Sequence, residues 1–298
     1  YGLLVSAECY GAIITGWVRR TLVEPKFTFN FIGFEFLQPL PGNGMYFYFA
    51  VMGTLGVLIT LGYRYRFSAF AFAFMWAGVY LMQKTSYNNH YYLLMLLAFI
   101  MALLPANRDA SMDSKRNPSI KTNNMPNYVR WFIIVQLFIV YTYASVAKLY
   151  GDWLDFSIIE ILMRSKKEYY LIGEFLQEKW VHTAIAIFGI LFDLLVVPAL
   201  LWKPTRKPAF ILSIFFHLFN SVVFGIGIFP YLALAFIVFF YPPQTIRRIF
   251  LRTKEVVIDK KPERPKNYKW LVGGMATYLV IQLLLPLRHH TIPDDVLW

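Results

Sequence analysis

The 298 residues contain one cysteine, Cys9, which excludes an internal disulfide framework and a cysteine-rich metal site. Charge is scarce as well. Asp, Glu, Lys and Arg together make up 15% of the chain, against roughly 25% in an ordinary soluble domain. No histidines have a metal-ligand spacing: His289 and His290 are adjacent rather than four apart, at a helix end where an interfacial cation is expected. There is no phosphate-binding loop, no glycine-rich dinucleotide fingerprint and no serine nucleophile elbow. The chain opens in an apolar run without a basic stretch before it, so no cleavable signal peptide is expected. Nucleotide chemistry and metal chemistry are therefore not expected.

What is abundant is apolar surface. Hydrophobic residues reach 58% and aromatics 19%, more than a soluble core of this size can hide. Lipid is the expected solvent, and the aromatics suit interfacial belts. The formal net charge of +12 is spread in short clusters between apolar runs: Arg19/Arg20, Arg64/Arg66, Lys203/Arg206/Lys207 and Arg247/Arg248/Arg252/Lys254. Loops flanking membrane spans have that pattern, whereas a nucleic-acid site needs one patch, so no nucleic-acid partner is expected.

A span needs about 20 mostly apolar residues. Candidates lie near 2–18, 45–63, 67–83, 90–105, 128–148, 181–202 and 269–286. The apolar stretch 208–241 is too long for one span and is interrupted by Gly225, Gly227 and Pro230, so two segments broken there are expected. The fold class is all-α: a polytopic transmembrane helix bundle of about eight or nine spans with one broken helix, read as a single transmembrane domain over 1–298. The stretches 106–127, 150–180 and 243–268 read as loops, the last as a solvated basic linker. Span parity groups the loops 64–66, 106–130 and 203–207 on one side, with ten Lys/Arg, and 19–44, 84–89 and 149–180 on the other, with eight. The bias favours the first set inside. It also puts His90 and Lys148 together on the outer side, with His217 deeper, near the midplane, so that the three are candidates for one cavity.

An ionisable group inside a span costs roughly 2.5–3.5 kcal/mol on insertion scales, so each one is a candidate for function. Lys148 ends an apolar helix; it is either a snorkelling cation paired with Asp152 four residues on, or a desolvated amine able to act as a base. His90 closes Lys84-Thr-Ser-Tyr-Asn-Asn-His90. There Asn88 or Asn89 can cap the next helix, or the amides can orient a polar ring edge while His90 exchanges a proton. His217 shares a helix face with Asn220, as a satisfied core histidine or as part of a site. Asp193 is a lone carboxylate within a span: it either belongs to the site or, the expected reading, pairs structurally with Lys or Arg from another helix.

Five strings, in order along most of the chain, resemble the membrane domain of the vitamin K-dependent γ-glutamyl carboxylases, a family with bacterial members. They are Phe36-Leu-Gln-Pro-Leu-Pro41 before Gly44-Met-Tyr46, Lys84-Thr-Ser-Tyr-Asn-Asn-His90, Ala147-Lys-Leu-Tyr-Gly-Asp-Trp153, Phe216-His-Leu-Phe-Asn-Ser221 and Gly225-Ile-Gly-Ile-Phe-Pro-Tyr231. The resemblance implies that a reduced vitamin K (a naphthohydroquinone, menaquinol or phylloquinol) is deprotonated and reacts with O₂. The strong base so formed removes a γ-proton from peptidyl glutamate, and the carbanion adds CO₂. Lys148 matches the family's base for the hydroquinone, His90 its supporting residue, and Asn89 an amide near the quinone oxygen. His217, Asn220, Asn88 and Tyr87 are implied around the cofactor, and Arg164 at the substrate carboxylate. The implied partners are membrane lipid and a glutamate-containing peptide or protein. The implied place is a bacterial inner membrane, with the active site toward the outer side.

The sequence departs from the family pattern at Gln83, where relatives have Asp, and at Ser145, where they have Gly. Family members continue into an extramembrane β-rich domain, which is expected to lie beyond this sequence. Two other readings stand beside the carboxylase. One is a quinol epoxidase without carboxylation, and the other a non-enzymatic maturation, immunity or carrier relative that uses the broken helix as its site.

Overall fold

The computed structural model describes residues 1–122, 125–252 and 268–290; the remainder of the linker read at 243–268, residues 253–267, and the side chains of His289 and His290 lie outside the described residues. Every regular element among the described residues is helical. In chain order these are α1 (Gly2–Ile14), α2 (Gly44–Leu61), α3 (Tyr65–Met82), α4 (Asn89–Leu103), α5 (Met112–Arg116), α6 (Asn127–Val146) and α7 (Gly151–Leu154). They continue with α8 (Ser157–Arg164), α9 (Lys179–Leu201), α10 (Arg206–Val223), α11 (Phe229–Phe236), α12 (Pro243–Phe250) and α13 (Tyr268–Leu284). All nine apolar segments read from the sequence are helices. Four are long and apolar enough to cross a membrane: α2, α6, α9 and Tyr268–Leu287; α1, α4 and Phe229–Phe240 are shorter. The protein is an all-α membrane protein.

The chain divides into two compact units. The first holds residues 1–125 with 227–235, and the second 126–226 with 236–252 and 268–290. In the first, α1 lies along α2, α2 on α3 and α3 on α4. Small residues let α1 and α2 approach closely. A methyl group at Gly53 would stand 2.6 Å from the Tyr10 ring, and one at Gly56 would stand 2.8 Å from Ser6. Lipid offers no hydrophobic drive for helix pairing, so such close van der Waals contact is what holds these two together.

Polar side chains tie the ends of this unit. At one end the Asp113 carboxylate accepts from the backbone N–H of Arg64 (2.8 Å) and Tyr65 (2.9 Å) and from the Asn107 amide (2.8 Å). It thereby satisfies donors that the start of α3 leaves open. Burial opposes ionisation of Asp113, but these three bonds, with the charge of Arg116, outweigh it and hold its carboxyl below the usual carboxylate range. At the other end the buried Gln83 amide donates to Thr21 O and accepts from Phe29 N–H, both at 3.1 Å. Parity had grouped loop 64–66 with 106–130, and 19–44 with 84–89. These are the loops that meet.

In the second unit α6 packs on α9, α9 on α10, and α13 on α6. The expected loop 150–180 contains α7, α8 and a short 3₁₀ turn, Phe175–Gln177. Its α8 buries Ile159 and Met163 against Leu176, Val181, Ala186 and Val223. Glu160 and Arg164 point outward, so the helix is amphipathic. The expected basic linker likewise begins as a helix, α12.

The break in 208–241 falls where the glycines and the proline predict it. Helix α10 ends at Val223, and α11 starts at Phe229. Gly225 has φ +64°, a left-handed conformation that side chains with a Cβ adopt at a cost. The freed N–H groups of Phe224 and Ile226 both return to the Asn220 carbonyl, at 3.2 and 3.4 Å.

Candidate functional site

Lys148 lies two residues past the end of α6, and its amine is held on three sides. Nζ donates to Ala144 O at 3.0 Å and to Asp193 Oδ2 at 2.5 Å. It also stands 5.4 Å from the centroid of the Trp153 ring, within cation–π range. The aliphatic stem runs over Gly189 of α9, where a methyl group would meet Lys148 Cε at 3.8 Å and the Trp153 ring at 3.5 Å. Gly189 and Asp193 are four apart and share a helix face, so α9 offers a notch for the stem and a carboxylate for its end. Trp153 is fixed by its indole N–H, which donates to Ala186 O. The side chain of Asp193 is 6% exposed and that of Lys148 21%: the carboxylate is sealed and the amine can be reached.

The pairing with Asp152 that went with the snorkelling alternative does not form; the partner of Lys148 is Asp193. A spacing of four gives a pair only if the helix continues. Here α6 stops at Val146, and Tyr150 is extended at φ −108°, ψ 166°. Asp193 pairs with a lysine from another helix, as its position in an apolar run led us to expect.

His217 is fully buried on α10, with Nε2 2.8 Å from Tyr141 Oη of α6. The Phe192 ring stacks on Phe216 at 3.8 Å between centroids and meets both Tyr141 and His217 edge-on. Since Phe192 precedes Asp193, a single turn of α9 touches both the Lys148 amine and the His217–Tyr141 pair. Asn220 serves the break through its backbone carbonyl. Arg164 lies on the exposed side of α8, its guanidinium 2.7 Å from Glu160.

His90, Tyr87, Asn88 and Asn89 belong to the first unit. Asn88 is the cap of α4: its Oδ1 accepts from His90 N–H at 2.7 Å. Asn89 Oδ1 accepts from the Tyr87 hydroxyl at 2.5 Å. The His90 ring lies 4.6 Å from the Phe229 ring, centroid to centroid, so two of the strings singled out in the sequence meet here. Next to His90, the Tyr91 hydroxyl donates to Glu8 Oε1 at 3.0 Å, and Glu8 also borders Gly227. Sequence reasoning passed over Glu8. Its signal was the one that flagged Asp193, a lone carboxylate in an apolar helix. Among the described residues, no group of three or more His, Cys, Asp or Glu side chains is placed to hold a metal ion.

A family model described as the HTTM domain matches residues 1–244, a stretch that takes in α1 to α11. The chain belongs to the HTTM-domain family. This domain occurs in vitamin K-dependent carboxylases, and its match covers every residue of the two polar clusters. No solved structure matches the chain. The HTTM match and the apolar helices together make this an integral membrane protein.

Proposed function

We propose that this HTTM protein is a membrane enzyme that uses a reduced naphthoquinone and O₂ to generate a base, and with it carboxylates peptidyl glutamate. The observation that carries the reading is the pair Lys148–Asp193 beneath Trp153. A proton delivered to Nζ is held there as a compensated ion pair with Asp193, in a poorly solvated place. The residues nearby suit a flat, apolar hydroquinone: an indole ring beside Nζ, and the exposed Leu149, Tyr150 and Leu154 that follow Lys148 in the chain. When bound, the hydroquinone supplies the electrons that turn O₂ chemistry into a strong base. The protein's part is to receive the hydroxyl proton at Lys148 Nζ, to hold that amine through Asp193 Oδ2 and Ala144 O, and to keep water out.

The family resemblance adds His90 as support for the proton transfer and Asn89 as an amide for the quinone oxygen. It also assigns His217, Asn220, Asn88 and Tyr87 to the cofactor and Arg164 to the substrate carboxylate. The test uses purified full chain with reduced naphthoquinone, O₂ and labelled bicarbonate, with and without a glutamyl peptide. Quinone epoxide together with label in the peptide supports the carboxylase. Epoxide alone supports the epoxidase. Neither product, from protein shown to be folded, removes the enzyme reading.

A further inference from the structure

At one end of the first unit, the loop after α1 and the turn between α3 and α4 border an open recess, a cavity of about 440 Å³. It is lined by Arg20 and Lys26, the polar Gln83, Thr85 and Ser86, and the ring of Phe29, among others. We propose that this cavity binds the phosphate headgroup of an anionic phospholipid. The role is separate from the polar clusters described above.

The cavity is built rather than incidental. One buried side chain, Gln83, bonds Thr21 O and Phe29 N–H and so fixes both flanks of the loop. The Arg20 guanidinium is set in place by donating from Nη1 to Thr15 O at 3.0 Å, which leaves its remaining N–H groups available. Arg19 is engaged with Glu24, whereas Arg20 and Lys26 have no acidic partner among the described residues. Two uncompensated cations beside the hydroxyls of Thr85, Ser86 and Thr21 match a phosphodiester: point charges for the anion and donors for its oxygens.

The neighbourhood selects lipid over a soluble anion. The same loop exposes Phe27, Phe29, Ile32 and Phe36, with Ile32 93% and Phe36 76% exposed. Apolar side chains at the end of membrane helices, next to cations, form the amphiphilic arrangement that sits at headgroup depth. A phospholipid can place its phosphate on Arg20 and Lys26 and its chains along these rings.

The test titrates phosphatidylglycerol, and separately phosphatidylcholine, into delipidated full-length protein in detergent, with bound lipid counted by native mass spectrometry. Tighter retention of phosphatidylglycerol, about 10-fold weakened in Arg20→Gln/Lys26→Gln and unchanged in Lys203→Gln/Lys207→Gln, supports the site. Gln83→Ala, which leaves the charges in place but frees the loop, should weaken it too. Equal retention in wild type and the Arg20/Lys26 variant overturns the proposal. So does equal loss in the Lys203/Lys207 variant, which would mean diffuse attraction. Displacement by millimolar inorganic phosphate would identify a soluble-anion site instead. Displacement by a glutamate-rich peptide would identify a peptide site.

Discussion

The two units spend their polar side chains differently. In the first, Asp113, Gln83 and Asn88 act at helix ends and turns, where they close backbone groups that a helix leaves open; across helices Tyr48, Tyr65 and Trp76 donate to backbone carbonyls, Tyr10 meets Thr54, and Tyr91 donates to the carboxylate of Glu8. In the second, Lys148 with Asp193 and His217 with Tyr141 join helix to helix far from any chain neighbour. End-closing groups hold local structure, and their loss frays an end. Cross-helix groups sit where an unpaired charge is costly, and they are retained for what they do or for the packing they specify. Substitutions can separate these two uses.

The largest effect is expected at Lys148. Lys148→Ala should lower epoxide formation by about 10³-fold or more, since it removes the general base. Lys148→Arg should fail too, although it keeps the charge facing Asp193, because a guanidinium does not give up its proton. A small exogenous amine should recover part of the alanine variant's activity. The sharper experiment replaces both partners with apolar residues, Lys148→Met with Asp193→Leu. Removing one member of the pair strands the other charge, whereas removing both restores compensation. The double variant should therefore be more stable than Lys148→Met alone and equally inactive. Stability restored together with activity would leave the pair a structural tie.

His90→Ala comes next, with a loss of about 10²-fold in the same step, the lower end for a group that assists proton transfer. The cap on α4 is made through the His90 backbone N–H, so melting should change little. A His90→Ala protein that unfolds would move His90 to the structural side of the comparison, as a ring packed on Phe229.

Much of this was legible in the sequence, and what was not has a physical pattern. Apolar runs predicted all nine helices, because lipid demands a continuous hydrogen-bonded backbone within each span. Gly225 and Pro230 marked the break because glycine adopts a left-handed φ without cost and proline lacks the N–H that a helix interior needs. Asn88 was legible as a cap because capping is local. For Lys148 the alternative pairing with Asp152 fails because that carboxylate, though at helical spacing, lies beyond the helix end. The true partner is 45 residues away, with no local sign of it. Glu8 and Tyr91, 83 apart, were invisible as a pair for the same reason. Gln83 stood out only as a departure from a family pattern. Its use as a two-ended clamp, donating to Thr21 O and accepting from Phe29 N–H, is one an ionised Asp cannot copy.

At the loop end of the first unit, Asp113→Asn should destabilise by about 1–3 kcal/mol, the range for removing a charged acceptor from partly buried donors. The pH dependence gives the sign. Because the folded carboxyl lies below its ordinary range, its contribution is fully present above about pH 4, the unfolded value. It is lost as pH falls through the lower folded value. Thermal melts of wild type should therefore drop between pH 4 and the folded value more than those of Asp113→Asn. Parallel curves would mean that Asp113 acts as a neutral acceptor.

The smallest effect bears most directly on the comparison, because Asn88 stands in both columns: a helix cap here, and a residue implied around the quinone. Its Oδ1 accepts from His90 N–H, and Ser and Asp are about equally good at that task. Asn88→Ala should cost about 1 kcal/mol of stability, and Asn88→Ser or Asn88→Asp should recover most of it. Neither replacement carries an NH₂ group. If the amide also donates to a quinone oxygen, the serine and aspartate variants will melt like wild type while epoxide formation stays reduced. If Asn88 is a cap and nothing more, activity and stability will recover together in both variants.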